Sequence, residues 1–269
     1  MPSILVDFPI TGVKRITFDN PEKLNSFTYN MYEEYLEILD QTAREPETRV
    51  VVITGAGKGF CAGHDITAAG KPAWVPSFDA LGKAYAGKYT MAKISSLPIV
   101  MKNLPQPIIA AINGTVAGMG LGIALAADIC IAAQTAKFVN AIHNAATGHE
   151  LGLSYVLPRL VGIQRAAEIL YTARPVLADE AERIGLVLRA VPADQLMDNV
   201  LELAKSIMVN VPMGIWMTKQ TLWHNLNASS LEAAIELENR AVFVAQSTED
   251  AKEKRASFIE KRAPTFHYK

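Results

Sequence analysis

The sequence predicts an α/β protein with a helical C-terminal part. Two short apolar runs, VVVIT at Val50–Thr54 and IIAAIN at Ile108–Asn113, have the uninterrupted character of strands buried on both faces, and each runs directly into glycines. Strand-like and helix-like segments alternate over the first two-thirds of the 269 residues, and past Glu150 helical periodicity takes over almost throughout. Alternation of that kind calls for a parallel sheet with right-handed crossovers.

Each element has its own signal. Ile4–Phe8 and Val13–Asp19 read as two strands joined by a Pro/Gly turn, the second with in/out alternation. After the loop NPEKLNS, Thr28 is placed to cap a helix running to Arg44, with Met31, Tyr35, Ile38, Leu39 and Thr42 along one side. Lys71 to Val100 opens as a proline-containing loop and becomes a helix of mixed polarity. Strand Ile108–Asn113 leads through more glycines into a helix of small residues, Gly118–Ala127. Ile129–Ala133, Lys137–Asn140 and, further on, Leu188–Val191 are the remaining strand candidates. The last helices, Leu231–Ser247 and Thr248–Arg262, are amphipathic and long, so they should pack on this subunit or on a neighbour.

Composition narrows the function classes. Half the residues are hydrophobic and a fifth charged, which excludes a disordered chain. Lys plus Arg total 26 against 27 Asp plus Glu, a net charge of −1 that calls for neither nucleic acid nor an anionic membrane. Cys61 and Cys130 lie inside apolar segments, as buried thiols of a reducing compartment do, with one disulfide as the alternative, and neither has zinc-site spacing. The longest apolar stretch, Val116–Ala133, carries three glycines and Asp128, so it reads as core rather than as a membrane span. MPSILVDFPI lacks a basic region followed by a long apolar run; no secretory signal is expected, and the expected location is cytoplasmic.

The informative pattern is one device used twice. VVVITGAG runs into GKGFCAGHDI, and IIAAINGTV runs into AGMGLGIALAADI. Each puts a Cβ-poor turn at the carboxyl end of a buried strand, where α/β proteins bind ligands and where glycine lets a ligand approach the backbone N–H groups. Two such turns side by side can aim two donors at one oxygen, the geometry of an oxyanion hole. The bland reading is a pair of ordinary strand-to-helix turns. Phosphate binding is the other alternative, but no GxxxxGK[ST] occurs and GAGKGF has the wrong spacing for GxGxxG.

The runs NPEKLNSFT, VVITGAGKGFCAGHDI, PIIAAINGTVAGMGLGIALAADI, LPRLVG and SFIEKRAPTF, in that order and with similar spacing, resemble the crotonase (enoyl-CoA hydratase/isomerase) superfamily over nearly the whole chain. The resemblance implies a crotonase-like spiral of ββα units over residues 1–200 and a C-terminal helical trimerisation region over 201–269. It implies a coenzyme A thioester as substrate, no metal or separate cofactor, and a homotrimer or dimer of trimers. It puts the oxyanion donors on the N–H groups of His64 and Met119. It puts CoA contacts on Lys23 and Leu24, on Ala62, Asp65 and Ile66, and on Phe258 and Lys261, often across a subunit contact. For Phe258 and Lys261 the alternative is a packed, partly solvated terminal helix. The His64 imidazole either assists proton transfer or only shapes the pocket.

The departures from the family concern proton transfer. Hydratases that resemble this chain carry two glutamates, which suits hydration because one activates water while a proton must also reach Cα. Those positions fall on Gly122 and Ile142. Glu150, in ATGHELGL, is left, at an acidic position that dienoyl-CoA isomerases of the family use; without the resemblance it is a helix-start acid favoured by the macrodipole. A lone carboxylate beside an oxyanion hole suits double-bond migration. His143, Asn144 and His149 are further candidates for carrying a proton or orienting water, each otherwise a loop or core residue. Asp128 reads as structural. Trp74, Phe78, Tyr85 and Tyr89, in the stretch expected to line the acyl pocket, suggest a bulky or ring-bearing acyl group. The expectation is therefore an acyl-CoA hydratase or isomerase with Glu150 as general acid/base. The alternatives are another enolate chemistry, such as thioester hydrolysis or C–C cleavage, and an inactive acyl-CoA-binding protein. RNA binding is disfavoured by the acidic early helix NMYEEYLEILDQTAREPE.

Overall fold

A computed structural model describes residues 3–67, 70–75, 78–141 and 148–269. Ile142, His143 and Asn144 lie outside the described residues. Strands β1 (Ile4–Ile10) and β2 (Val13–Phe18) form an antiparallel hairpin, and a short 3₁₀ turn (Pro21–Lys23) leads to α1 (Tyr29–Thr42). The Thr28 hydroxyl accepts a hydrogen bond from Met31 N, so the expected cap is in place. Two strand pairs follow with the same layout: β3 (Val50–Gly55) then β4 (Gly59–Cys61), and, after α2 (Lys83–Ile94) and α3 (Leu97–Asn103), β5 (Ile108–Ile112) then β6 (Thr115–Ala117). The second pair runs into α4 (Met119–Ala126). A third pair, β7 (Ile129–Ala133) and β8 (Lys137–Val139), precedes α5 (Leu153–Val161) and α6 (Ile163–Thr172).

In each pair the first strand joins one sheet and the second joins another. The six-stranded sheet has the order β1-β2-β3-β5-β7-β10, and the four-stranded sheet has the order β4-β6-β8-β9. Here β9 is Val176–Leu177 and β10 is Arg189–Val191, with α7 (Ala178–Arg183) between them. Repeating strand, strand, helix while advancing one place in both sheets generates a spiral of ββα units. The pairings β3–β5, β5–β7, β4–β6 and β6–β8 are all parallel, as crossover connections require. Val50–Thr54 and Ile108–Ile112 are buried at every position, in keeping with their unbroken apolar pattern. Strands β4, β6 and β9 have no period long enough to read from sequence. The single mixed-polarity helix expected before Val100 is two helices, because Pro98 starts a new one at its first turn.

The C-terminal part contains α8 (Leu196–Met208), α9 (Pro212–Asn225), α10 (Leu231–Gln246) and α11 (Glu249–Glu260). One buried ionic cluster holds α9 to the spiral. Lys219 Nζ donates to Asp128 Oδ2 (2.9 Å) and to the carbonyls of Met101 (3.0 Å) and Gln106 (2.9 Å), while Trp223 Nε1 donates to Asp128 Oδ1 at 3.1 Å. Asp128 also accepts Ile108 N at 2.8 Å, which makes it the structural residue its position after α4 suggests. Both cysteines are free and buried; burial pushes each thiol up to about 12, so they are inert core residues. Among the described residues, no single helix is long and apolar enough to cross a membrane.

Candidate active site

The two glycine turns meet backbone to backbone. A Cβ added to Gly120 would lie 2.2 Å from the Cys61 carbonyl oxygen, and one on Gly114 would lie 2.0 Å from that of Lys58. Side chains are excluded there because the main chains touch. Two asparagines hold the first turn in shape. Asn25, fully buried, donates to the carbonyls of Ala56 (2.9 Å) and Gly59 (2.7 Å), and Asn113 spans from Gly55 N (3.1 Å) to the carbonyl of Gly57 (3.0 Å). Neither asparagine has a sequence signal as specific as the glycines; a polar residue set between a loop and a buried aromatic, as in LNSF, is the one that points to Asn25.

The N–H groups of His64 and Met119 are set free by the local backbone. Phe27 and His64 form a parallel bridge in which Phe27 N donates to the Gly63 carbonyl (2.7 Å) and Asp65 N donates to the Phe27 carbonyl (2.9 Å). In that ladder the N–H of His64 points away from Phe27, and no partner for it occurs among the described residues. Met119 is the first residue of α4, whose opening N–H groups have no intrahelical acceptor. Gly63 brings the two together: at φ +97° it stands where an added Cβ would come 3.1 Å from Met119 N and 3.0 Å from the Ala117 carbonyl. An anion at this point also meets the positive end of α4.

Around these donors lies a half-aromatic wall. Tyr32 donates its hydroxyl to Met119 Sδ at 3.1 Å and stacks over the His64 ring, with 6.0 Å between centroids. Tyr29 packs on His64 at 5.0 Å and on Trp74 at 5.6 Å. Burial holds the His64 imidazole below its usual value, against the pull of Asp65 and the Phe27 carbonyl, so it is neutral at pH 7. Of the aromatics expected on the acyl side, Trp74 joins this wall, whereas Tyr85 and Tyr89 are exposed on α2. Tyr29 and Tyr32 take part instead, and their helical spacing in sequence reads only as core.

Glu150 is half-buried, and burial raises its carboxyl above the usual carboxylate range. The Tyr32 phenol is raised by its own burial first, then by Cys61 and by the Glu150 charge, so Glu150 is within electrostatic reach of Tyr32. The residue after Glu150 fixes the contact with α4. Leu151 is 3% exposed, and a Cβ on Gly122 would lie 2.6 Å from Leu151 Cβ. Gly122 and Met119 are three apart and share a helix face. Leu151 has φ +53°, a left-handed conformation that costs a branched side chain about 1–2 kcal/mol. The space beside Gly122, where the resemblance would put a hydratase's first glutamate, is thus filled from the neighbouring loop.

The expected CoA contacts fall into two groups. Lys23 Nζ reaches Asp65 Oδ2 at 2.7 Å and Thr67 Oγ1 at 3.0 Å, and Ala62 N donates to the Leu24 carbonyl at 2.9 Å, so Lys23, Leu24, Ala62 and Asp65 form one rim beside the first turn. The hydrogen bonds from Lys23 and Thr67 hold the Asp65 carboxyl down at about 2. Ile66, at the same rim, is 82% exposed. Phe258 and Lys261 sit at the end of α11, with Phe258 81% exposed and Lys261 closing the helix in a left-handed cap.

Residues 10–269 match the family model described as enoyl-CoA hydratase/isomerase. The probable enoyl-CoA hydratase EchA12 of Mycobacterium tuberculosis is 42% identical over 265 residues, 98% of this chain and 92% of that one. The 1,2-epoxyphenylacetyl-CoA isomerase of Escherichia coli is 32% identical over 257 residues, 95% of each chain. The crystal structure of a probable enoyl-CoA hydratase/isomerase from Mycobacterium abscessus superposes with a TM-score of 0.90 at 36% identity, covering 99% of both chains. With its spiral of ββα units and a match that spans almost its whole length, the chain belongs to the enoyl-CoA hydratase/isomerase (crotonase) family of enzymes.

Proposed function

We propose that this enzyme moves a double bond within an enoyl-CoA by proton transfer, with Glu150 as the single acid/base and the N–H groups of His64 and Met119 as the oxyanion hole. The observation that carries the proposal is a carboxyl raised by burial. Glu150 stands on the turn whose next residue, Leu151, packs over Gly122 of α4, whereas the Asp65 carboxylate at the rim is engaged by Lys23 and Thr67. In this reading the Glu150 carboxylate takes the Cα proton of a 3-enoyl thioester. The electron pair spreads over the dienolate, and its charge rests on the thioester oxygen between the two donors. The carboxylic acid then returns the proton at Cγ. The double bond has moved from C3–C4 to C2–C3, and Glu150 ends as it began. A raised carboxyl pKa helps because it narrows the gap to the carbon acid, and each oxyanion donor contributes roughly 2.7–4 kcal/mol in the transition state.

The Lys23–Asp65 rim would hold the CoA moiety, and Tyr29, His64 and Trp74 would face a planar, ring-bearing acyl group, in line with the acyl group named for the E. coli relative. Self-association is part of the proposal. The sixteen residues of α10 include none that is buried, while Leu231 and Phe243 on it are exposed, as are Phe258 and Ile259 on α11. Faces of that kind fit a homotrimer or a dimer of trimers, and light scattering on the purified protein reads the mass directly.

The test is a panel of 2-enoyl- and 3-enoyl-CoA thioesters with mass spectrometry and ultraviolet spectra of the products. Unchanged mass with a new conjugated absorbance supports isomerisation. A gain of one water from most substrates, or full turnover by Glu150→Gln, removes the proposal.

A further inference from the structure

Leu151 occupies a position that leucine fits poorly. Glu150 to Leu153 closes as a turn, with Leu153 N donating to the Glu150 carbonyl at 3.1 Å, and both central residues are left-handed, Leu151 at φ +53° and Gly152 at φ +71°. Glycine or asparagine stands in such a turn without this strain. Across from Leu151, Gly122 is an interior residue of α4, where glycine weakens a helix. The opposite arrangement, a glycine in the turn and an apolar side chain on the helix, would bury a similar volume with neither penalty. Stability alone therefore does not account for a leucine on the strained side and a glycine on the relaxed one.

What the observed arrangement does is tie a hydrocarbon wedge to the base. Leu151 is covalently next to Glu150, is 3% exposed, and covers Gly122 so closely that an added Cβ would meet its Cβ at 2.6 Å and its Cδ1 at 3.2 Å. Gly122 shares a helix face with Met119, whose N–H is one of the two donors. The wedge thus holds the turn that carries Glu150 against the helix that carries the donor. It also leaves no room for a side chain at position 122.

We propose that Leu151 is a specificity-determining and positioning residue, which keeps the Glu150 turn seated on α4 and bars water from C3 of the conjugated thioester, so that the proton is returned and no water is added. This rests on the reading of Glu150 as the base. Water addition needs an oxygen at C3 and a proton at C2; with the α4 wall dry, only the proton already on Glu150 is available.

The experiment uses 2-hexenoyl-CoA and 3-hexenoyl-CoA in ¹⁸O-labelled water, with the ratio of hydrated to isomerised product measured by mass spectrometry. Leu151→Ala should raise that ratio at least tenfold, and Leu151→Met should keep it at the wild-type value. Leu151→Asn, suited to the left-handed backbone, gives the same reading if the alanine variant does not fold. Gly122→Ala should lower kcat more than it raises KM, and adding Leu151→Gly to it should recover folding with a raised hydration ratio. An unchanged ratio in folded Leu151→Ala or Leu151→Asn protein overturns the proposal, as does a wild-type enzyme that mainly hydrates. Full turnover by Glu150→Gln would instead remove the base while leaving the hydration ratio of the Leu151 variants to judge the wedge.

Discussion

Adding one methyl group at Gly63 should disable the oxyanion hole while leaving the spiral folded. An alanine Cβ there would stand 3.0 Å from the Ala117 carbonyl and 3.1 Å from Met119 N, both of them backbone atoms that cannot rotate aside. The residue also holds φ +97°, so the new side chain adds left-handed strain of about 1–2 kcal/mol. The two turns can relieve the contact only by separating, which pulls the His64 and Met119 N–H groups off a common oxygen. Losing one well-placed donor lowers kcat by roughly 10²–10³. Steady-state rates on an enoyl-CoA, paired with a thermal melt, separate the two effects. The melt should fall by about 2–4 °C per kcal/mol of strain for a chain of this size, whereas the drop in kcat should be much larger than such a loss accounts for. A folded Gly63→Ala enzyme with kcat within threefold of the wild type would refute the placement of the hole.

The other expectations are separate. Glu150→Gln should lower kcat by roughly 10²–10⁴. The acid limb of wild-type kcat/KM should lie above the ordinary glutamate value of 4.5, because the base form appears only above a raised pKa. The same shift has a sign for stability: a raised carboxyl favours the fold at low pH and loses that contribution as pH rises through its own value, so Glu150→Gln should melt higher than the wild type in alkaline buffer. His64→Ala should keep kcat within about tenfold if its N–H alone matters, since a single donor is worth far more than that; a larger loss measured with an intact fold would assign the imbedded imidazole a proton-transfer role. Lys219→Met removes the nearer cation from half-buried Asp128, which keeps Lys102 at 3.9 Å and the Trp223 and Ile108 donors, and leaves the Met101 and Gln106 carbonyls without this donor, so it should cost about 1–3 kcal/mol by denaturant titration.

The parts of the fold that were legible in the sequence are those with a strong local signal. Val50–Thr54 and Ile108–Ile112 advertise burial on both faces, and Thr28 marks its helix by a hydroxyl that has to satisfy Met31 N. Strands β4 and β6 are three residues long and glycine-flanked, so no alternation can develop, yet they are what lays one glycine turn on the other. At the site, the glycines and their order were legible because a backbone donor does not depend on the side chain that follows it. The contact of Leu151 with Gly122 was not: it joins residues 29 apart through a turn whose handedness leucine does not announce. The aromatic wall failed for a related reason. Tyr85 and Tyr89 lie in the right stretch of chain, but the helix they sit on turns them outward, while Tyr29 and Tyr32 come from a helix whose inward face looks like ordinary core.

Backbone strain draws the same outline of the site by an independent route. Among the described residues, the non-glycine positions with positive φ are Leu24, Asn25, Leu151, Ala173, Lys261 and Tyr268. Leu24 and Asn25 carry the Lys23 rim and brace the first glycine turn, and Leu151 lies against α4 at the second, so half of these positions pack beside the two turns. Gly63 and Gly118, also at positive φ, set the two donors themselves. Strain is retained only where surrounding contacts over-determine it, and here those contacts are the buried Asn25 network and the Leu151 wedge. Relaxing any one of these positions should therefore stabilise the isolated turn and degrade the alignment of donors with base. In Leu151→Asn about 1–2 kcal/mol of strain is relieved while a buried leucine is lost, so the melt reads the sum of the two and the products read the wedge.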